Sequence, residues 1–411
     1  MTEYKRYELL DGVYLTAVQT DLCAESCLSM TLLTQLSRET AAMNAVLPNV
    51  LLRGSSRLPD AEAIASALAE VQGSIEPTVR KLGEVQAVGL RALFAPNAFE
   101  QMARELTAML LSPNTRGGLL RPDWVKDEAA LLKARIEAQA PDCETRLIEE
   151  MCCYEDYALS PLGDADAAAS IHYQKLTRHY HDLVAASPLE IFYCGTTPPR
   201  AAAQTLTELL SAMLRGEPDE ELGTDVRMNS IDAEPRFSEE TARADAPCCI
   251  GVGWRLGDQM EDPDLPALEL LAACLEQMLR AALDPGARMR LDLHKGILTL
   301  TSPLSVSVET ARAGIDAQLA LLAAGGPAPE TRSAALTKLT EDLRAAERDA
   351  VLLEEYWLRR APLGLICSPE ELTGLLHEVT PAEISYAARG LECDMVYVRR
   401  PEPEDEPEQE A

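Results

Sequence analysis

The chain is poor in aromatic residues, histidine and positive charge, and each shortage removes a class of function. Phe, Trp and Tyr make up 4% of its 411 residues, so Leu, Ala and Val must fill the interior. Lys and Arg number 37 against 67 Asp and Glu, a formal net charge of −30 at pH 7. No basic stripe can neutralise phosphates, which argues against nucleic-acid binding. No apolar run reaches the roughly 18–20 residues that cross a bilayer, so no membrane segment is expected. The first ten residues, Met-Thr-Glu-Tyr-Lys-Arg-Tyr-Glu-Leu-Leu, lack the apolar core of a secretion signal, and a cytoplasmic location follows. The chain has no P-loop, no G-x-G-x-x-G and no G-x-S-x-G.

Cysteine is present but unpatterned. There are 11, an odd count with the adjacent pairs Cys152-Cys153 and Cys248-Cys249 and no C-x-x-C, which speaks against a disulfide framework. Cys23 and Cys27 are four apart but have no partnered histidine for zinc. The five histidines are His172, His179, His181, His294 and His377. In the one cluster, His179 and His181 are two apart and would point to different sides of a helix. His172 could share the side of His179, but no matched carboxylate accompanies it, and a solvated helix is the plainer reading. His181-Asp182 and Glu155-Asp156 read as solvated too. No catalytic, cofactor-binding or metal-binding residue is assigned.

What is present is the composition of a soluble globular protein, 47% hydrophobic and 25% charged, long enough for two domains. Strand-like runs at 12–18 and 27–36 precede a helix whose apolar residues Met43, Val46, Leu47 and Val50 keep helical spacing. Asp60 caps a second helix closed by Gly73; strands follow at 75–81 and 84–94, then helices from Asn97 and over 122–138. Residues 190–196 read as a strand and 201–214 as a helix. An acidic stretch with Pro and Gly interrupts the pattern, which then restarts: a strand at 248–256, a helix through Leu268, Leu271, Leu275 and Met278, and strand material at 296–308. Helices at 309–323, 330–360, 369–377 and 381–390 and a strand at 395–399 complete it. The fold class is α+β, in two tandem units over 1–220 and 246–400, with a linker at 221–245 and a disordered acidic tail at 401–411.

Residues 43–55, Met-Asn-Ala-Val-Leu-Pro-Asn-Val-Leu-Leu-Arg-Gly-Ser, form an apolar helix running into Leu-Leu-Arg-Gly-Ser. Together with Gly73–Leu90, the turn Tyr157-Ala-Leu-Ser-Pro-Leu-Gly163 and the doubled element order, this resembles the insulinase, pitrilysin and mitochondrial processing peptidase family. The opening Tyr-Glu-Leu-Leu-Asp-Gly-Val-Tyr and Asn49–Ser56 bring it nearest to a catalytically inactive bacterial branch, associated with the aminopentanol modification of translation elongation factor P. The resemblance implies two half-shell units, each a mostly antiparallel sheet covered by helices.

The same resemblance implies what is missing. The zinc motif H-x-x-E-H of active members falls on Ala45, Pro48 and Asn49, and the third ligand, a Glu on the 122–138 helix, falls on Ala134 or Arg135. A zinc peptidase needs three protein ligands, a water and a carboxylate base, and none of these residues supplies them. The substrate-gripping Arg and Tyr of active relatives fall in a shortened segment, 283–296. It keeps Arg288 and Arg290 but has no tyrosine. The expectation is a non-catalytic homologue without cofactor or metal. It would enclose a peptide as half of a chamber, in a hetero-oligomer with a catalytically competent homologue or in a homodimer; the acidic charge would favour basic peptides. A divergent active metallopeptidase and a stand-alone peptide-binding or structural protein are the alternatives.

Overall fold

A computed structural model describes residues 3–216, 222–227, 234–242, 247–260 and 264–402. Parts of the stretch read as a linker (221, 228–233 and 243–245) and 403–411 of the acidic tail lie outside the described residues.

The first half runs β1 (Glu3–Leu10), β2 (Val13–Gln19), β3 (Ser26–Gln35), α1 (Ala41–Leu51), α2 (Ala61–Glu70), β4 (Ser74–Leu82), β5 (Val85–Phe94) and α3 (Phe99–Leu111). The short strands β6 (Thr115–Arg116) and β7 (Leu119–Leu120) lead to α4 (Pro122–Ala138), α5 (Cys143–Met151), α6 (Ala165–Ala169), α7 (Tyr173–Ala186), β8 (Leu189–Gly195) and α8 (Pro199–Leu210). The second half holds β9 (Arg236–Ala242), β10 (Cys249–Arg255), α9 (Leu265–Ala282), β11 (Arg288–Asp292) and β12 (Ile297–Pro303). After these come α10 (Val308–Gly325), α11 (Pro329–Ala346), α12 (Ala350–Arg360), α13 (Pro369–Glu378), α14 (Pro381–Arg389) and β13 (Glu392–Pro401).

The two sheets repeat one topology. The first has the order β1-β2-β8-β3-β5-β4 and the second β11-β12-β10-β13-β9. Read from the other edge, the second is β9-β13-β10-β12-β11. It matches β2-β8-β3-β5-β4 strand for strand, including the one parallel pair, β2 with β8 and β9 with β13. The repetition lies in connectivity, so the letters barely show it. The α+β class with mostly antiparallel sheets covered by helices is the architecture observed.

The contacts gather the described residues into two compact units that do not follow the halves of the sequence. One takes 1–140, 159–224 and 343–369; the other takes 141–158, 225–342 and 370–411. In the first unit β3 is buried on both sides, enclosing Ser26, Ser29 and Thr31 as well as its apolar residues. Leu28, Met30 and Leu32 pack with α1, α3, α7 and α8. Cys27 faces the other way, against Leu353 and Trp357 of α12. The run 330–360 is therefore two helices, not one. Asp349 ends the first by capping α12, its carboxylate accepting from the N–H groups of Val351 and Leu352.

The edge strand β1 was hidden by its charges. Arg6 forks onto the buried carboxylate of Glu190 in β8, with Nη2 to Oε1 at 2.7 Å, and bonds Thr16 on the way. Its turn to β2 is Asp11-Gly12, with Gly12 at a φ of 65°, the left-handed conformation that tight hairpins reserve for glycine.

In the second unit, α5 lies on β10 where Gly251 and Gly253 leave room for Leu147 and Met151. The edge strand β9 falls inside the stretch read as a linker. Arg236 ties it to Asp394 at 3.0 Å, and Tyr397 donates to Glu240. No helix among the described residues is long and apolar enough to cross a membrane.

Candidate functional site

The helix α1 carries the positions where the family's zinc motif would lie. All its residues are buried except Asn49. A helix enclosed all round belongs to the core and presents no open side to a ligand. Ala45 is 2% exposed and packs in the main cluster of the first unit. Pro48 lies inside the helix, lacks the N–H of a helical residue and has no carboxylate. Asn49 turns Nδ2 back to the carbonyl of Ala45 at 3.4 Å. A methyl group, a pyrrolidine ring and an amide folded onto its own helix thus stand where two imidazoles and a base would be.

The neighbouring helix α4 offers no remedy. Its buried residues are Val125, Ala129 and Leu132. Ala134 and Arg135 lie on its exposed side, away from this packing. The carboxylate of Glu128 is engaged by Arg53 at 2.9 Å. No group of three or more His, Cys, Asp or Glu residues that could hold a metal occurs among the described residues. The donor set does not fit zinc, and no hydrolytic step can be built on it.

In place of a metal site, α1 holds a neutral polar chain. His179 Nε2 bonds Asn44 Oδ1, Asn44 Nδ2 donates to Gln86 Oε1 at 2.7 Å, and Gln86 Nε2 donates to the carbonyls of Ala41 and Pro161. Asn44 and Gln86 are both fully buried. These bonds offset the cost of burying the Asn44 and Gln86 amides. It also seats the Ser-Pro-Leu-Gly part of the turn recognised in the sequence. A Cβ on Gly163, whose φ is 72°, would lie 2.7 Å from the N of Ala42.

His179 is therefore an inward-facing residue, not a solvated one. The signal was available: Leu176, Tyr180 and Leu183 set the buried stripe of α7, and 179 falls within it. His172 instead caps α7, accepting from the N–H of Gln174 at 3.4 Å, and His181 is exposed. Burial lowers the His179 pKa below its ordinary 6.5, with the nearby Asp182 opposing and Lys175 assisting. A base with a depressed folded pKa binds fewer protons in the native state. Its contribution is present above about pH 6.5 and is lost as the pH falls below it. Unfolding by urea at successive pH values should show stability declining below about 6.5, and His179→Gln should flatten that decline.

In the second unit, Arg288 and Arg290 lie on β11. Arg288 is exposed, and Arg290 pairs with Glu144 at 3.3 Å with 54% of its side chain exposed, a surface ion pair. Asp292, next along, accepts from the N–H groups of His294 and Lys295 and from the Tyr157 hydroxyl. The segment is thus a closed hairpin between β11 and β12.

Glu155 departs most from the sequence reading. Its side chain is 4% exposed and bonds Arg255 and Lys295, both at 2.6 Å. Two residues on, Tyr157 is fully enclosed, and Lys295 sits over its ring at 5.8 Å. The run Glu155-Asp156-Tyr157 has no helical or strand period to mark it as core.

No protein-family profile matches the chain. A Bacillus subtilis (strain 168) protein named "Probable inactive metalloprotease YmfF" is 23% identical over 412 residues, covering 94% of this chain and 95% of that one. Among solved structures, a conserved protein from Enterococcus faecalis V583 superposes with a TM-score of 0.81 at 18% identity, covering 98% of this chain and all of the other. A peptidase M16 inactive domain from Pseudomonas fluorescens superposes with a TM-score of 0.75 at 16% identity, again over 98% and 100%. The fold of this chain is that of the M16 peptidase halves.

Proposed function

We propose that this chain is a non-catalytic zinc-peptidase homologue that forms one half of a peptide-enclosing chamber, the other half being a catalytically competent homologue. One observation carries the reading: the M16 fold spans 98% of the chain, while α1 offers only Ala45, Pro48 and Asn49 where the resemblance would put the ligands and the base. A scaffold that has lost its chemistry but not its shape retains a use for the shape. The similarity to a protein named an inactive metalloprotease supports the non-catalytic part. The partner, the cytoplasmic location and a link to elongation factor P modification are the finer parts of the proposal; the partner and the link rest on the family resemblance.

The chain would complete the chamber wall and hold an extended peptide for the partner's zinc, with its net charge of −30 favouring basic segments. Affinity purification of the tagged protein from its own cells, with mass spectrometry of near-stoichiometric companions, tests this. The expected companion is a homologue of similar length with an intact H-x-x-E-H, and peptidase activity should then belong to the complex. Recovery of this chain alone would overturn the hetero-oligomer and favour a homodimer or a stand-alone peptide-binding role.

A further inference from the structure

The two large sheets share a topology but differ by one strand. β9 holds the place of β2, each being the strand that runs parallel to its neighbour, β13 or β8. In the first sheet the outer edge of β2 is covered by the antiparallel strand β1. Among the described residues, no strand covers the same edge of β9.

An uncovered edge presents a row of unpaired N–H and C=O groups, and sheets blunt such edges with lysine, proline, bulges or short strands. The large sheets end on β1, β4, β11 and β9. β1 has Lys5 and a register shift between Glu8 and Leu10, β4 has Pro77, and β11 is five residues long with Arg288 and Arg290. β9 has seven residues, no lysine, no proline and an unshifted ladder with β13. Arg236 and Glu240 are committed within the sheet, to Asp394 and Tyr397. Phe237 is 52% exposed.

We infer that the outer edge of β9 takes an extended peptide as an antiparallel strand, in the place that β1 fills in the first sheet. Strand addition draws affinity from main-chain bonds and specificity from alternate side chains. Phe237, Glu239 and Thr241 stand on one side of the sheet, beside Val396, Val398 and Arg400. The peptide residue opposite Phe237 gains from a β-branched apolar side chain, and the one opposite Glu239 from Lys or Arg. Along an antiparallel strand these come in the order basic, any, apolar. Glu239 already meets Arg400 at 2.7 Å, an exposed pair that a second cation can share. A second copy of β9 is a poor occupant, because full-length antiparallel pairing sets Glu239 against Glu239. The pairing rests on the peptide-holding part of the proposed function and needs neither partner nor zinc.

The probe is a fluorescent peptide Thr-Val-Lys-Lys-Thr-Val-Thr, matched in length to β9 and titrated onto the full chain. Hydrogen exchange read by mass spectrometry locates it. Binding should slow exchange in 236–242 and leave β1, β4 and β11 unchanged. Only every second residue of an added strand turns its N–H to β9. N-methylation of one alternate set of peptide residues should therefore abolish binding, while methylation of the other set spares it. Phe237→Ala should weaken binding about two- to fivefold, the worth of one cross-strand pair. No added protection, protection at another edge, or equal binding by both methylated peptides overturns the site. A chain that co-purifies with a competent homologue yet gives one of these results loses the β9 site and keeps the chamber.

Discussion

Replacing Glu354 with alanine should lower the stability of the first unit by about 3–5 kcal/mol, the usual cost of breaking a buried ion pair from one side. Its side chain is wholly enclosed, and its two oxygens take a forked pair of bonds from Arg80, at 2.6 and 2.8 Å, and one from Arg91 at 3.2 Å. These are the contacts that pin α12, a helix from late in the chain, to strands β4 and β5. Removing the carboxylate leaves two guanidinium groups, with 22% and 12% of their side chains exposed, without their shared counter-charge. For a unit of this size the change corresponds to a melting temperature lower by roughly 10 °C. Burial by itself would raise the Glu354 pKa, but the hydrogen bond and charge of Arg80, with help from Ser29 and Arg91, more than offset it, so the pKa is lowered from 4.5. A depressed folded pKa gives a contribution present above about 4.5 and lost as the pH falls through the folded value. The gap between wild type and Glu354→Ala in urea unfolding should therefore be widest near neutral pH and narrow below about 4.5.

A change of similar size is expected in the second unit from Glu155→Ala, again about 3–5 kcal/mol. Glu155 and Asp394 face Arg255 and Lys295, and all four side chains are at most 9% exposed. Arg255 joins the two carboxylates, with 2.6 Å to Glu155 and 2.7 Å to Asp394. Lys295 also donates to the carbonyl of Asp225 at 2.6 Å, so the cluster fixes a connecting segment as well as the sheet. Burial would raise the Glu155 pKa, but bonds from Arg255 and Lys295 bring it below 4.5. The acid-side sign is thus the same as for Glu354. Glu155→Gln keeps the shape while removing the charge and should lose less than Glu155→Ala. An equal loss in the two variants would show that charge, not shape and hydrogen bonding, dominates.

Both clusters escaped the sequence for one reason. A buried carboxylate is read from its partners, and these lie far away in the chain: Arg80 and Arg91 for Glu354, Arg255 and Lys295 for Glu155. Where local pattern carried the information, it served well. The apolar spacing of Met43, Val46, Leu47 and Val50 places α1, and the Leu- and Thr-rich run 27–36 marks β3. The edge strands β1 and β9 were lost because charges mask their alternation, although Asp11-Gly12 is a hairpin signal that could have revealed the first. Nothing local in Cys143–Met151 or Ala350–Arg360 tells that each packs with a unit formed mainly from other parts of the chain. The reading of Ala45, Pro48 and Asn49 as a degenerate motif rests on the family resemblance and on residue type, since none of the three supplies an imidazole or a carboxylate. On α4, helix phase turns Val125, Ala129 and Leu132 inward and leaves Ala134 and Arg135 exposed, which residue type alone does not tell.

A peptidase fold kept without its zinc chemistry should neither hold zinc nor cut peptides by it. The most direct test is the zinc content of the purified chain by mass spectrometry, after exposure to zinc and gel filtration, with peptide hydrolysis measured on the same sample with and without chelator. No stoichiometric zinc and no hydrolysis that chelator abolishes are expected, because Ala45, Pro48 and Asn49 offer neither ligands nor a base. One zinc per chain with chelator-sensitive peptidase activity would contradict this and establish a metal site elsewhere in the fold.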